Sequence, residues 1–520
     1  MLEKIFPFLR WFPLTKDQFK ADFIAGLTVA MLLIPQSMAY AELAGLDMRY
    51  GLYAAFIPVI LGALFGCLNQ LGTGPVAMTS ILTAAVLIKY ADPNNIEQYA
   101  QMAFLLALMV GIIRLILGLG RMAFVVNYLS HPVIQGFTIA GALIIGLSQV
   151  DKILGIQVEK DSGFCGYVSD IAQLIIRLTE THPFTFIIGL SSIVLIFLIK
   201  KVNKALPSLL IAVVSATVFS YFFGFEAKNG DVVGSIPAGL PSFSLPWNIE
   251  TDNIFMLMLK MLPDALVITL IGFMEVLAVS KAIAMKTHQK LDFNQELIGQ
   301  GVAAIGGSFF KSYPTSGSFS RSAMNLMAGA KTAMSSVFTT IFVVLVLLFF
   351  TPLLYHLPKA TLAAGIIVSV IGLINIDPIV RAWKVSKLDG SIAVITFIAT
   401  MLFAPSIVNG IIFGGCIALV IFIFKRLKSK KLTYELDEQE IYIIIKPSRE
   451  VLFPEISQLE KRVLDKAASK STKEVKIDMI NITAMDASLE WSLFNLKNRL
   501  ETMGIKLQLI NLQNEVNLLD

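Results

Sequence analysis

Long uninterrupted runs of apolar residues are the feature that most constrains how this chain can fold. They include residues 191–199, 337–350 and 410–424, and many extend to the roughly 20 residues with which a helix crosses a bilayer. Hydrophobic residues make up 56% of the sequence and charged residues 15%, whereas soluble proteins carry about 25% charged residues. Barrel strands would instead give short alternating segments. We therefore predict a polytopic α-helical membrane protein.

The apolar runs and the residues that break them divide the chain into fourteen predicted spans. Seven spans form a first half and seven a second half. Because seven is odd, the second half begins in the opposite orientation, which gives the inverted-topology repeat typical of secondary carriers. The predicted spans are 22–45, 51–67, 74–90, 102–120, 131–150, 183–199, 206–224, 262–284, 294–309, 317–329, 333–351, 358–375, 389–404 and 407–425.

Basic residues orient these spans, because short loops rich in Lys and Arg stay on the cytoplasmic side. Loops on the other side carry Asp92 and Glu97, or Glu226 and Asp231, with few balancing cations. We expect both termini in the cytoplasm and the chain in the plasma (inner) membrane. The basic loop residues are Lys200, Lys201, Lys204, Lys281, Lys286, Lys290, Arg381, Lys384 and Lys387.

Three domains follow from this pattern. Residues 1–20 are a cytoplasmic N-terminal segment, and residues 21–426 are the transport domain, with the first repeat at 21–225 and the second at 255–426. Residues 432–520 alternate between strand and helix patterns and predict a small α/β domain. We expect strands at 441–446, 475–482 and 505–510, and helices at 456–469 and 487–503, with Asp486 as a helix cap.

The third span of each half begins with a short segment rich in Gly, Pro and Ser. The first such segment contains Gly74 and Pro75, and the second contains Pro314 and Gly317. A helix that begins halfway through a bilayer exposes unpaired N–H groups and the positive end of its dipole, which together bind anions. Paired broken segments at matching places indicate the substrate site of a carrier. The alternative is that these residues only kink two packed helices.

Arg321 follows the second broken segment at helix depth, where a charge is costly unless it is paired or hydrated. Its planar guanidinium suits an oxyanion. Ser318 and Ser320 add hydroxyl donors, although Ser is also common as a helix cap. We therefore predict a site for a small inorganic anion here.

Two further polar groups lie on the first span, where Gln36 and Tyr40 are one helical turn apart and face the same side. A Gln amide and a Tyr hydroxyl can each donate to an anion. Hydrogen bonding between helices is the alternative role for both.

Glu275 is an acidic residue inside the first span of the second half. An intramembrane carboxylate is a candidate for proton relay or ion pairing. It is expected to couple transport to protons or, alternatively, to attract sodium. A permanent salt bridge with Arg321 is the structural alternative.

Several other functions lack support in the sequence. No Gly-rich phosphate loop precedes a helix, so ATP-driven pumping is not expected. The four His residues do not cluster and no nucleophile accompanies a base, so a membrane-embedded enzyme is not expected. The net charge of +5 falls in the loops, which argues against nucleic-acid binding. Cys67, Cys165 and Cys416 match no metal-ligand spacing, and we expect no cofactor or metal.

The chain resembles the sulfate permease (SulP) family, related to animal solute-carrier anion exchangers, over nearly its whole length. The resemblance lies in residues 34–41, 74–77 and 317–322 and in a tail similar to a STAS domain. It implies core and gate domains, usually a homodimer, an elevator-like motion and a possible cytoplasmic regulatory partner of the tail. Ala487 stands where related STAS domains often have a phosphorylatable residue, so regulation there is not expected. The implied anion contacts are Gln36, Tyr40, Pro75, Val76, Ala77, Ser318, Phe319, Ser320 and Arg321, with Glu275 as the coupling residue.

We therefore expect proton-coupled sulfate symport. Sodium-coupled bicarbonate uptake, proton-coupled dicarboxylate uptake, anion exchange and an anion channel remain open alternatives, because helix termini and an Arg bind any of these anions.

Overall fold

The computed structural model describes residues 6–427 except 94, 124–130, 157, 159–165, 204–205, 250–252, 288, 290, 373 and 405–406. In the tail it describes 434–438, 442–447, 459, 463, 474–479, 489, 493, 496–497, 500–501 and 504–511. Lys204, Lys290, Cys165, Asp486, Ala487 and most of the two predicted tail helices lie outside the described residues.

The first half contains a helix at each of its seven predicted spans. The third span is divided, since a short strand precedes its helix. The elements are α1 (Lys16–Leu43), α2 (Met48–Ala54), α3 (Ile57–Phe65), β1 (Gly72–Gly74), α4 (Ala77–Leu87), α5 (Ile96–Leu119), α6 (His131–Leu147), α7 (Val150–Leu154), α8 (Gly166–Ile176), α9 (Pro183–Val202) and α10 (Ser208–Phe223).

The second half repeats this arrangement, with a strand before the third helix. Its first helix begins at Ile254 rather than 262 and continues through Pro263, because a helix in a membrane tolerates an internal Pro. The elements are α11 (Ile254–Thr287), α12 (Phe293–Ser308), β2 (Ser316–Ser318), α13 (Phe319–Met327), α14 (Met334–Leu345), α15 (Lys359–Ile371), α16 (Asp377–Val385), α17 (Lys387–Phe403) and α18 (Ile407–Leu427). Among the described residues, seven helices are long and apolar enough to cross a membrane.

Two short helices of the transport domain, α8 and α16, lie wholly outside the predicted spans. Each has 11 residues or fewer and mixes polar with apolar side chains. A short amphipathic helix gives no long apolar run, so a search for membrane spans misses it.

Closely packed glycines join α5 to α12. A Cβ atom added at Gly301 would lie 2.8 Å from the Leu115 backbone nitrogen, and one added at Gly111 would lie 2.7 Å from the Ile305 backbone nitrogen. Small residues let helix backbones approach closely, which is how helices associate in lipid. The two helices therefore pack closely against each other. Gln300 on α12 also contacts β1, since it donates to the Thr73 hydroxyl at 2.8 Å.

A buried carboxylate joins α1 to the start of α14. Asp22 is fully buried and accepts hydrogen bonds from the backbone nitrogens of Lys331 and Thr332 at 2.7 and 3.0 Å. The Thr332 hydroxyl also donates to it at 2.6 Å. Several donors therefore compensate the desolvation of this carboxylate.

The chain divides into two compact units. The first comprises Met1–Ala123, Gly141–Ile374 and Ala404–Val408, and the second Phe124–Ala140, Asn375–Phe403 and Asn409–Asp520. Within the second unit, Gly136 packs against Ala393 of α17, and Gly414 of α18 packs against Thr396 of the same helix.

The tail forms a four-stranded sheet in the order β3 (Tyr434–Glu438), β4 (Tyr442–Pro447), β5 (Glu474–Asp478) and β6 (Lys506–Ile510). The last three correspond to the predicted strands, and β3, which pairs antiparallel with β4, was not predicted. The parallel pairs β4–β5 and β5–β6 require crossover connections. Buried residues of these connections, including Leu459, Val463, Leu489 and Leu493, form a core with Val475 and Ile477.

Gly301→Ala tests the α5–α12 contact. We expect it to destabilise the protein by ~1–3 kcal/mol, because the new methyl group meets backbone atoms that have no rotamer with which to move away. The measurement is the thermal midpoint of the purified protein in detergent. Gly415→Ala is the matched control, since no described residue lies within 4 Å of its added Cβ atom. Equal midpoints for the two variants would contradict the packing argument.

Candidate functional site

The two broken segments pair with each other as a short antiparallel ladder. Gly72 faces Ser318, Thr73 faces Gly317, and Gly74 faces Ser316. The strand β2 leads directly into α13, and β1 reaches α4 through Pro75 and Val76. Because the strands are antiparallel, α4 and α13 begin at the two ends of this short ladder. Two positive helix ends therefore flank the ladder in the first unit.

The two helix ends are capped differently. The Ser318 hydroxyl accepts a hydrogen bond from the Arg321 backbone nitrogen at 3.4 Å and so caps α13. Val76 occupies the cap position of α4, and it offers no side-chain acceptor. Because the first N–H groups of a helix have no partner within the helix, those of α4 remain available to an anion. Pro75, Val76 and Ala77 therefore lie at a helix start without a side-chain cap.

Arg321 connects the two segments. Its side chain is fully buried, and Nη1 donates to the Pro75 carbonyl oxygen at 2.7 Å. Nε and Nη2 are buried and have no hydrogen-bond partner in the described part of the chain. Gly74, with φ of 142°, permits this approach, since a Cβ atom there would lie 3.3 Å from Nη2. One nitrogen of the guanidinium thus bonds the backbone, and the other two could donate to a ligand.

The two candidate residues of α1 are both buried, and Tyr40 lies near Arg321. Gln36 is buried, and its Oε1 atom has no partner among the described residues. Tyr40 is also buried, within hydrogen-bonding reach of Ser369 on α15 and close enough to interact electrostatically with Arg321 and Glu275. Ser369 was not predicted, because a Ser in an apolar helix carries no distinguishing signal.

Glu275 makes no ion pair with Arg321 within the described residues, so the permanent salt bridge considered from the sequence is not observed. The residue is half-buried, and its Oε2 atom is buried without a hydrogen-bond partner. Its charge interacts with those of Arg321 and Arg114. The carboxylate therefore faces two cations without being fixed to either.

Arg114 was missed in the sequence, although the signal was present. It lies in the middle of α5 and is fully buried. The rule that an ionisable residue inside a membrane span indicates a functional site, applied to residues 102–120, identifies it.

Phe319 and Ser320 differ from the rest of the candidates because they are exposed, Phe319 to 59%. The Ser320 hydroxyl lies 3.3 Å from that of Ser318. Ser320 is therefore accessible to a solute, whereas Ser318 is occupied as a cap. Among the described residues there is no group of His, Cys, Asp or Glu that could hold a metal ion.

Comparison with known proteins decides the family. A model of the sulfate permease family matches residues 19–396. The chain belongs to this family. A model of the STAS domain matches residues 433–519. A sulfate permease family protein is a transporter, so the prediction that the chain is not an enzyme is confirmed.

Relatives of this sulfate permease family protein are named as sulfate transporters. The probable sulfate transporter 4.2 of Arabidopsis thaliana is 34% identical over 99% of this chain and 80% of its own length. The sodium-independent sulfate anion transporter of Bos taurus is 30% identical over 98% of this chain and 87% of its own.

Solved structures confirm the predicted fold of the sulfate permease family protein. SLC26A9 has a TM-score of 0.76 at 25% identity, covering 99% of this chain and 88% of its own. The transmembrane domain of the cyanobacterial bicarbonate transporter BicA has a TM-score of 0.64 at 25% identity, covering 78% and 98%. The chain is therefore a polytopic α-helical membrane protein with a C-terminal STAS domain.

Two serine variants distinguish capping from ligand binding. We expect Ser318→Ala to destabilise the protein by ~1 kcal/mol, because α13 loses its cap. Ser320→Ala removes an exposed hydroxyl, so it should leave the thermal midpoint unchanged and weaken anion uptake. Thermal midpoints and labelled-anion uptake, measured on both variants, test this. Wild-type uptake by Ser320→Ala would remove Ser320 from the site.

Proposed function

We propose that this chain is a secondary active transporter that takes up a small inorganic oxyanion, sulfate first, by proton-coupled symport with an elevator-like alternating-access movement. The observation that carries the proposal is that two helix N-termini flank the β1–β2 ladder beside Arg321. This arginine is buried, and two of its nitrogens have no partner among the described residues. Burying a cation in this way is costly unless an anion is bound to it. An oxyanion accepts hydrogen bonds from guanidinium, backbone N–H and hydroxyl donors together.

Sulfate is the first choice because relatives of this chain in a plant and in a mammal are named as sulfate transporters. The proposed ligands are Gln36, Tyr40, the backbone at Pro75 to Ala77, and the segment from Ser318 to Arg321. Bicarbonate is the second candidate, since the transmembrane domain of BicA shares the fold.

Protons are the proposed driving ion. Moving one negative charge inward against about 100 mV costs about 2.3 kcal/mol, and a dianion costs twice as much. Glu275 could take up a proton inside the site without first breaking an ion pair, because within the described residues it forms no ion pair with Arg321 or Arg114 and its Oε2 atom has no hydrogen-bond partner. Sodium is the alternative driving ion, and the uptake assay below distinguishes it from protons.

The proposed setting is the plasma (inner) membrane, with both termini in the cytoplasm. The basic loops identified in the sequence support this orientation, because positively charged short loops stay inside. We further propose a homodimer, with the STAS domain available to a cytoplasmic regulatory partner.

Uptake of labelled sulfate into proteoliposomes tests the substrate and the coupling ion. We expect an inward proton gradient to stimulate uptake and an inward sodium gradient to have no effect. Arg321→Ala should abolish uptake, because it removes the charge and the donors of the site, and the exposed Arg381→Ala is the matched control. Absence of sulfate flux in the wild type would overturn sulfate as the substrate, and parallel assays with labelled bicarbonate would show whether it replaces sulfate.

Glu275→Gln tests proton coupling. The amide resembles the protonated carboxyl but cannot release a proton, so we expect sulfate binding to persist while the dependence of uptake on the proton gradient disappears. Initial rates at a series of imposed pH differences provide the measurement. Glu97→Gln is the control, because Glu97 is an exposed carboxylate in the first turn of α5. An unchanged dependence in Glu275→Gln would exclude Glu275 as the coupling group.

A further inference from the structure

Two buried arginines make reciprocal bonds between the two halves of the transport domain. Arg321, at the start of α13 in the second half, donates to the carbonyl oxygen of Pro75, which lies between β1 and α4 of the first half. Arg114, on α5 of the first half, donates through Nη1 to the carbonyl oxygen of Thr315, directly before β2 of the second half. Both distances are 2.7 Å.

Arg114 extends to the same junction as Arg321. A Cβ atom added at Gly272 of α11 would lie 2.5 Å from Arg114 Nη2, 3.4 Å from Thr79 Cγ2 and 3.5 Å from Ser316 Oγ. Thr79 belongs to the first turn of α4 and Ser316 to β2. The guanidinium therefore lies beside the start of α4 and the paired strands, where the absence of a side chain at Gly272 makes room for it.

Arg114 also retains free donors. Its Nε and Nη2 atoms are buried and have no hydrogen-bond partner in the part of the chain that the structure describes. A residue that only supported the Thr315 carbonyl would leave this desolvation uncompensated. Unpartnered cationic donors beside a helix N-terminus are the arrangement that binds an anion.

A second arginine makes the net charge of the site more positive than that of a site with one arginine. Arg114 on α5, Arg321 on α13, Tyr40 on α1 and Tyr313 before β2 are the charged or titratable groups that act on Glu275 or on one another around it. The elements α4 and β2 contribute none. Two guanidinium groups face one carboxyl group. The site therefore carries one net positive charge when Glu275 is ionised and two when it is protonated, which matches a dianion.

We propose that Arg114 is a second cationic residue of the anion site and gives the transporter its preference for divalent over monovalent oxyanions. This inference rests on the proposed function, since it specifies the class of anion that the same site takes. Arg114 and Arg321 approach the anion from opposite halves of the repeat. Removing either arginine therefore weakens the binding of a dianion more than that of a monoanion, because the electrostatic attraction scales with the charge of the ligand.

The experiment compares the binding of sulfate and of nitrate to the purified, full-length protein in nanodiscs by isothermal titration calorimetry. We expect the wild type to prefer sulfate. Arg114→Gln should weaken sulfate binding at least tenfold and nitrate binding less than threefold. Arg114→Lys retains the charge and should recover most of the preference, whereas a purely structural arginine would not be replaced in this way.

Gly272→Ala is a second variant that leaves every charge in place. Its methyl group would displace the Arg114 guanidinium, so we expect the preference for sulfate over nitrate to fall to a value between those of the wild type and Arg114→Gln. This variant provides the test if Arg114→Gln does not fold.

Three results would overturn the inference: a wild type without a preference for sulfate, an Arg114→Gln variant that weakens both anions equally, or an Arg114→Lys variant no better than Arg114→Gln. Failure of the proposed function has a different signature, because a wild type that binds sulfate selectively but does not take it up into proteoliposomes would contradict transport and leave the binding role of Arg114 in place.

Discussion

The pairing of β1 with β2 is the constraint on which the proposed anion site depends. Inside a bilayer every backbone N–H and C=O group needs a partner, and two extended segments that interrupt helices would otherwise leave theirs unsatisfied. By pairing with each other, residues 72–74 and 316–318 satisfy part of this requirement. The same pairing places the starts of α4 and α13 on either side of the ladder, so the proposed anion site is a consequence of how the broken backbone is stabilised.

The region behind the strands holds them in place. Gln300 bonds Thr73 of β1, Gln70 donates to the Ala330 carbonyl beyond α13 at 2.9 Å, and Gln289 donates to the Gln70 side chain at 2.6 Å. Each of these bonds joins residues from different halves of the repeat. Such bonds link the two halves around the proposed site, and the proposed elevator movement requires that the parts of the site stay together as they move.

Local composition predicted the broken helices but not what joins them. Gly74, Pro75 and Gly317 mark interruptions because glycine and proline disfavour continuous helix, and Arg321 is conspicuous beside them. The ladder between β1 and β2 could not be predicted, since three-residue strands from distant parts of the chain carry no periodicity. Arg114 could have been identified in the same way as Arg321, but it is a single charged residue within a long apolar run and was overlooked. The hydrogen bond from Arg321 to the Pro75 carbonyl oxygen could not be predicted either, because every residue has a backbone carbonyl and the sequence does not show which one accepts.

The two arginines differ from ordinary structural cations in what they leave unsatisfied. Asp22, which is equally buried, has several donors around its carboxylate and is fully compensated by the protein. Arg321 and Arg114 each use one nitrogen for a backbone carbonyl and retain two without a partner among the described residues. The bonded nitrogen fixes the orientation of each guanidinium before a ligand arrives, which lowers the ordering cost of binding. In the proposed site, buried nitrogens without a partner are unfavourable while no anion is bound, and a bound anion would offset that cost.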